Sequence, residues 1–198
     1  MEPRFQFDEA THTYTVDGVQ VPSVTQILET VGISDFSGVP FERLQYAQDL
    51  GVAVHKATEA YDQDDLDWSS IEGSVVEPYL AAWIAFRKQT GFIPRLIERR
   101  GVAQVAGQRY GFCLDREGDL DGRATVLDIK TGEKSRAWPI QLSAYELALF
   151  LLDGQHRRRA AVRLHGDGGF TVVQFINTQD EHVWRWALGL ETWKSLNP

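Results

Sequence analysis

The chain has 198 residues, of which 43% are hydrophobic and 11% aromatic, and its formal net charge is −8. This length supports one globular domain that buries roughly 70% of its unfolded surface, and the composition excludes a disordered chain. A single cysteine, Cys113, excludes an internal disulfide, a cysteine-rich zinc site and a four-cysteine iron–sulfur cluster. Any chemistry must therefore come from carboxylates, histidines and lysines.

The sequence contains neither a membrane-span pattern nor a targeting pattern. No apolar run, Tyr79–Phe86 and Leu147–Leu152 included, approaches the roughly 18 residues that a membrane span needs. The opening residues, Met1–Arg4, are not followed by an apolar segment. We therefore expect a cytoplasmic protein that does not contact a membrane.

Charge is distributed unevenly along the chain. From residue 95 to residue 163 there are 13 basic and 9 acidic side chains, a balance of +4, whereas the remainder has 7 and 19, a balance of −12. A basic segment with its own acidic residues would suit phosphate binding combined with metal chemistry. Ordinary variation over a solvated surface explains the pattern equally well, so charge alone does not decide the function.

The first 40 residues are predicted to form a hairpin and a short helix. Asp17-Gly18 favours a tight turn between strands at 12–16 and 19–21. Ser23 or Thr25 would cap a helix that runs through Leu28. Two longer helices are then predicted over 41–61 and 75–89 from the spacing of their apolar residues.

After residue 95 the apolar period changes to two, which indicates strands. Antiparallel strands are predicted at 96–105, 108–116 and 123–131, followed by a helix over 139–152, strands at 158–164 and 169–176, and a last helix over 180–194. This order predicts a mixed α/β fold (α+β mixed) with helices packed on a central sheet. We expect one domain, 1–198, with an N-terminal part at 1–40 and a core at 41–198.

The hairpin around Asp121-Gly122 brings charged residues together. If these two residues form the turn, Leu120 pairs with Arg123, and Asp115 then lies opposite Asp128 with Cβ atoms about 4.5–5.5 Å apart. Lys130 shares the face of Asp128 because side chains alternate along a strand. The other face of the hairpin is predicted to hold apolar residues against one another: Phe112 and Leu114 against Leu127 and Ile129.

Two opposed carboxylates repel each other and need compensation. A divalent cation, a raised pKa or exposure to solvent beside a neighbouring lysine or arginine would each provide it. Hard oxygen ligands without a thiolate suit Mg²⁺ or Mn²⁺. The residues alone leave these alternatives open.

Four motifs together resemble those of the PD-(D/E)XK nuclease superfamily, and most closely its RecB-like, phage-type exonuclease branch. They are Gly51-Val-Ala-Val-His55, Gly111-Phe-Cys-Leu-Asp115, Asp128-Ile-Lys130 and Gln141-Leu-Ser-Ala-Tyr145. The opening, with Asp17-Gly18 and Pro22-Ser-Val-Thr25, is similar to that of phage-encoded members. The resemblance covers residues 5–150. It implies a restriction-endonuclease-like core, in which a central mixed sheet with a catalytic β-hairpin is flanked by helices.

The resemblance also implies a DNA nuclease that uses one or two Mg²⁺ or Mn²⁺ ions and has no iron–sulfur cluster. The metal ligands would be His55, Asp115, Asp128 and the main-chain carbonyl of Ile129. Lys130 would be the catalytic lysine, and we favour an electrostatic role because two carboxylates beside it would keep it protonated.

Four further residues are candidates for supporting roles. Glu59 lies one turn after His55 and would fix the imidazole tautomer, or simply hydrogen-bond to a structural histidine. Glu98 would support the site or bind a second cation, unless it is an exposed strand carboxylate. Gln141 and Tyr145 lie four residues apart on one helix and would position phosphate or water, or satisfy each other as a buried pair.

The function expected from the resemblance is an exonuclease of phage or prophage origin in DNA recombination or processing, in the host-cell cytoplasm. A structure-specific endonuclease and a catalytically silent nucleic-acid-binding module of the same fold are the alternatives. The expected partners are DNA and a recombination or annealing protein. The resemblance also allows the chain to form a homo-oligomer. Because no P-loop motif is present, we expect no helicase motor in this chain.

Overall fold

The computed structural model describes residues 4–9 and 11–197, which form two sheets and five α-helices. Residues 1–3, 10 and 198 fall within the expected domain bounds but lie outside the described residues, and so does most of the opening Met1–Arg4. In chain order the strands and α-helices are β1 (Phe5–Asp8), β2 (Thr13–Val16), β3 (Val19–Val21), α1 (Val24–Thr30), α2 (Phe41–Asp62), α3 (Glu77–Thr90), β4 (Ile93–Val105), β5 (Gln108–Leu120), β6 (Arg123–Lys130), α4 (Ala137–Asp153), β7 (Arg158–Leu164), β8 (Phe170–Phe175) and α5 (Gln179–Leu196). A short 3₁₀ helix, Trp68–Ser70, precedes α3.

The smaller sheet has the order β1-β2-β3 and is antiparallel. Its predicted hairpin is confirmed: Asp17 and Gly18 both have positive φ angles, and Val16 pairs with Val19. Strand β1 adds a third strand that the sequence pattern did not predict. Ser23, rather than Thr25, caps α1, because its hydroxyl accepts a hydrogen bond from the Gln26 amide.

The larger sheet has the order β4-β5-β6-β7-β8 and is mixed. Strands β6 and β7 are parallel, because α4 returns the chain to the same end of the sheet, and the other pairs are antiparallel. The predicted α+β fold, with a central mixed sheet flanked by helices, is confirmed. Strand β4 begins three residues before its predicted start, and β5 ends four residues after its predicted end.

Apolar side chains cover both faces of the larger sheet. One core cluster joins β4–β7 to helices α1, α4 and α5, and its members include Ile27, Tyr110, Val126, Leu142 and Trp184. The other joins β5, β6 and β7 to helices α2 and α3, and its members include Val54, Trp83, Phe86, Leu127 and Val162. Burial of apolar side chains on both faces stabilises the central strands of the sheet.

The register predicted for the β5–β6 hairpin is confirmed. Five pairs run from Arg116 with Leu127 to Leu120 with Arg123, around Asp121 and Gly122 in positive-φ conformations. The paired ladder ends one residue before Asp115 and Asp128 would meet.

The predicted apolar face of this hairpin is wrong. Phe112 and Leu114 pack in the cluster beneath α1, α4 and α5, whereas Leu127 and Ile129 pack in the cluster beneath α2 and α3. The strand loses its regular alternation between Leu114, which lies on one face, and Arg116, which bonds to Asp62 of α2 on the other.

The neighbouring strand β4 is irregular at the same level. Ile97 pairs with Arg116 and Arg99 with Leu114, but Glu98 between them has a left-handed backbone, with φ of 47°. A positive φ at a non-glycine residue costs conformational energy that the surrounding packing must supply. The irregularity lies where the charged residues of the hairpin come together.

The smaller sheet is seated on β5 through Gly111. The Gly111 amide donates to the Pro22 carbonyl at 2.9 Å, and the Tyr14 ring lies against the glycine. A Cβ at position 111 would be 2.3 Å from Cγ of Tyr14. Only glycine allows this approach.

We therefore expect Gly111→Ala to destabilise the protein by about 1–3 kcal/mol, as overpacked cores do. The measurement is the free energy of unfolding from urea denaturation. Gly38→Ala is the control, since a Cβ at Gly38 would meet no atom within 4 Å. An unchanged stability of Gly111→Ala would show that Tyr14 moves aside freely.

In the part of the chain that the structure describes, no helix combines the length and apolar content needed to cross a membrane.

Candidate functional site

Three side chains from three elements converge at one point. His55 comes from α2, Glu98 from β4 and Asp115 from β5, and one potential ligand atom of each lies within 4.8 Å of the others. The His55 Nδ1 atom is 3.5 Å from Asp115 Oδ1 and 3.8 Å from Glu98 Oε1. These three residues, here called the acidic cluster, line a cavity of about 550 Å³.

The orientation of His55 leaves one ring nitrogen facing the carboxylates. Its Nε2 atom lies 3.0 Å from the carbonyl oxygen of Ile129, which can only accept a hydrogen bond. Nε2 therefore carries a proton, and Nδ1 presents its lone pair to Asp115 and Glu98 when the ring is neutral. A cation that displaces the proton from Nδ1 would find this nitrogen already turned toward the two carboxylates.

Arg116 fixes Glu98 from below the cluster. Its side chain is fully buried, and its Nη1 atom donates to Glu98 Oε1 at 3.1 Å and to the Asp115 main-chain carbonyl at 2.6 Å. Its Nε atom donates to Asp62 Oδ2 at 2.6 Å. These two carboxylates compensate the buried positive charge of Arg116, and the arginine orients Glu98 toward the cluster.

A second group of polar residues adjoins the acidic cluster across β6. Lys130 Nζ lies 2.6 Å from Asp128 Oδ2 and donates to Gln141 Oε1 at 3.0 Å. The Gln141 amide in turn donates to the Tyr145 hydroxyl at 2.9 Å. Asp115 joins the two groups, because its Oδ2 atom accepts from the Ile129 amide at 2.6 Å.

The electrostatics of the cluster reflect crowded acidic charge. Burial raises the pKa of Asp115 to about 7; His55 and Lys130 oppose this shift, and Asp128 and Glu98 add to it. Burial would lower the pKa of His55, but Asp115 and Glu98 outweigh it and raise that pKa to about 9. Burial also opposes ionisation of Glu98, yet His55 and Arg116 lower its pKa.

Two neutral groups flank these charges. Burial, followed by the charges of Asp128 and Asp115, raises the pKa of Tyr145 well above its usual value, so the phenol stays protonated. Burial and the charges of Glu98 and Asp115 raise the pKa of Cys113, so its thiol stays protonated in the protein without metal. Carboxylate oxygens and one imidazole remain as donors, which fits a hard divalent cation.

The predicted residues fall into these two groups. His55, Asp115 and Glu98 meet in the acidic cluster, whereas Asp128 pairs with Lys130 beside it. The remaining candidates lie around them: the Ile129 carbonyl bonds to His55, and Gln141 and Tyr145 bond to each other.

Glu59 is placed differently from the role predicted for it. It lines the cavity, but its carboxylate accepts from Gln63 at 3.2 Å, and both nitrogens of His55 face other groups. Glu98 occupies the place beside the imidazole instead.

Sequence reasoning missed Arg116 and Asp62. An arginine in a strand and an aspartate at a helix end are usually solvated, so neither residue type signals a buried pair. They meet only because α2 packs on the face of the sheet to which Arg116 points.

Comparison with known proteins shows a fold likeness alone. No family model and no curated protein matches the sequence. Among solved structures, the crystal structure of a "Putative exonuclease" from Eubacterium rectale is similar with a TM-score of 0.53 at 10% identity, over 74% of this chain and 66% of that one. The chain thus spans just under two thirds of that protein. A protein named SSO0001 gives a TM-score of 0.39 at 15% identity, over 79% of this chain and 71% of that one.

Proposed function

We propose that the protein is a metal-dependent deoxyribonuclease of the PD-(D/E)XK type. The observation that carries the proposal is the meeting of His55, Glu98 and Asp115 beside the Asp128–Lys130 ion pair, with the Ile129 backbone bonded to both Asp115 and His55. The fold likeness to the Eubacterium rectale protein, which is named a "Putative exonuclease", is consistent with this chemistry.

The residues suited to holding the cation, Mg²⁺ or Mn²⁺, are His55, Glu98 and Asp115, with Asp128 and the Ile129 carbonyl beside them. Carboxylates held together at the cost of a raised pKa, as at Asp115, gain most from a nearby cation. When bound, such a cation polarises a phosphate and lowers the pKa of a bound water.

The adjoining residues position and neutralise charge. Lys130 places an ammonium beside Asp128, where it would offset negative charge that develops on the phosphate. Gln141 holds that ammonium, and the protonated Tyr145 accepts from the Gln141 amide. Together they fix the lysine within one geometry, which is what electrostatic catalysis requires.

The finer features of the proposal rest on the motif resemblance. They are DNA as substrate, exonuclease action, and a phage-type role in recombination in the cytoplasm with an annealing protein as partner. A single nuclease domain with its core at 41–198 belongs to the same proposal.

Degradation of linear and covalently closed circular duplex DNA by the purified protein tests the function. With Mg²⁺ or Mn²⁺, we expect linear DNA to be digested and circles to stay intact, and chelation of the metal to stop the reaction. Nicking of circles would favour the endonuclease alternative. If neither DNA is cut, the enzymatic proposal fails and the binding-module alternative stands.

A further inference from the structure

Arg100 is a cation in the wall of the cavity that holds the acidic cluster. It lies on β4, two residues after Glu98, and lines both this cavity and a neighbouring one of about 500 Å³. Glu98 lines the same cavity despite its left-handed backbone. Arg100 and Glu98 therefore present a cation and an anion to one space.

Arg100 differs from most of the buried and partly buried arginines in having no acidic partner among the residues described. Five of them pair with a carboxylate: Arg87, Arg116, Arg157, Arg159 and Arg163. Arg158 also lacks an acidic partner, but it donates to the Leu120 carbonyl, whereas the Arg100 side chain makes no hydrogen bond within the described part of the chain. The Nε atom of Arg100 is buried, and no hydrogen-bond partner faces it in the described part of the chain. A half-buried guanidinium without an anion is costly, and a bound anion would remove that cost.

The guanidinium is nonetheless held in place. Its central carbon lies 4.9 Å from the centroid of the Phe7 ring of β1, which is a cation–π contact. Phe7 also packs against Tyr14, whose ring is seated on Gly111 of β5. The smaller sheet thus positions Arg100 without neutralising it.

Spacing relates Arg100 to the acidic cluster. The backbone from Glu98 to Arg100 spans at most about 7 Å in any conformation, a length comparable to the separation of neighbouring phosphates on an extended nucleic-acid strand. A phosphate held at the cluster would leave its neighbour within reach of Arg100. Guanidinium groups bind phosphate oxygens through two parallel hydrogen bonds.

We propose that Arg100 binds the phosphate next to the one at the acidic cluster and so sets the register of the nucleic-acid strand in the cavity. This inference rests on the nuclease function proposed above. It assigns to the smaller sheet, through Phe7, the role of holding the phosphate-binding side chain.

The test measures DNA binding rather than cleavage. Arg100→Met keeps an unbranched stem against Phe7 but removes the cation, and it is made in a Lys130→Ala background so that bound DNA persists. Binding of a short fluorescent duplex with single-stranded tails is followed by anisotropy in Mg²⁺ at several salt concentrations, and gels check that the DNA stays intact. Arg99→Ala is the matched control, because Arg99 is exposed and does not line the cavity of the cluster.

We expect Arg100→Met to weaken binding roughly ten- to a hundredfold and to reduce the slope of log affinity against log salt by about 0.7–0.9, the value for one phosphate contact. Uncharged methylphosphonates placed singly along the strand give a second readout. At one position along the strand, the methylphosphonate should weaken binding to the background protein but not weaken binding to Arg100→Met any further.

Equal affinity and equal salt slope in the Arg100→Met and background proteins would overturn the inference and leave the nuclease proposal intact. An Arg99→Ala protein that loses as much as Arg100→Met would also overturn it, because the effect would then be general charge. A wild-type protein that neither binds nor cuts DNA would overturn the nuclease proposal and this contact with it. Circular dichroism of each variant confirms folding, and Arg100→Lys, which keeps the charge, should retain the salt slope.

Discussion

Replacing Lys130 by alanine is expected to lower kcat by about a hundred- to a thousandfold, the usual effect of removing one group that stabilises transition-state charge. Metal affinity should change little, since Lys130 donates to Gln141 and pairs with Asp128 but is not itself a ligand. Single-turnover cleavage of linear DNA measures the first effect. Isothermal titration with Mn²⁺ measures the second.

Lys134→Ala is the matched control for this experiment. Lys134 is exposed in the segment after β6, so its loss removes the same charge without touching the site. Activity close to wild type is expected for Lys134→Ala. Full activity of Lys130→Ala would show that the lysine has a structural role only, with Asp128 as its counterion.

The parts of the fold that depend on local chain geometry could be predicted from sequence. Asp17-Gly18 and Asp121-Gly122 adopt positive φ angles at all four residues, and each turn sets the register of its hairpin. That register carried the prediction that Asp115 would approach β6, and its carboxylate does accept from the Ile129 amide. The preference of these dipeptides for tight turns needs no information from the rest of the chain.

The geometry of the cluster could not be predicted in the same way. Regular alternation would place Leu114 and Arg116 on one face, but the strand breaks that pattern opposite Glu98 with its left-handed backbone. At this break Arg116 forms a buried pair with Asp62 of α2, 54 residues away in the chain. A contact between charged residues so far apart in the chain cannot be inferred from the local period. Arg116 also donates to Glu98, which lies beside the imidazole, where Glu59 had been expected.

The same crowding makes Asp115 the residue whose replacement should affect metal binding most. Asp115→Asn keeps an oxygen that can accept from the Ile129 amide but removes the negative charge. Because loss of an outer partner already costs about 10–100-fold in metal affinity, loss of this carboxylate should cost more. Cleavage should fall below detection.

Thermal unfolding with and without metal is the measurement. A cation at a hundred times its Kd stabilises the folded protein by about 2.7 kcal/mol, which raises the Tm of a chain of this size by about 5–10 °C. Wild type should show this rise, and Asp115→Asn should show little of it.

Without metal, the variant should have a stability close to that of wild type, because asparagine escapes the burial cost of the carboxylate but loses its attraction to His55. Burial raises the pKa of Asp115 to about 7, so the unfolded chain loses this proton at a lower pH than the folded protein does. The free energy of unfolding therefore falls as the pH rises from the usual carboxyl range to about 7, and it stays lowered above pH 7. Asparagine avoids this cost. Loss of the metal response together with retained stability would therefore separate a binding defect from unfolding.

Asp121→Asn is the control for the same chemical change on the same hairpin. Asp121 is exposed in the β5–β6 turn with φ of 53°, a conformation that asparagine tolerates well. It should keep both the metal response and the activity. If Asp115→Asn also kept its rise in Tm with metal, the acidic cluster would not be the metal site, and Asp128 on β6 would be the next carboxylate to replace.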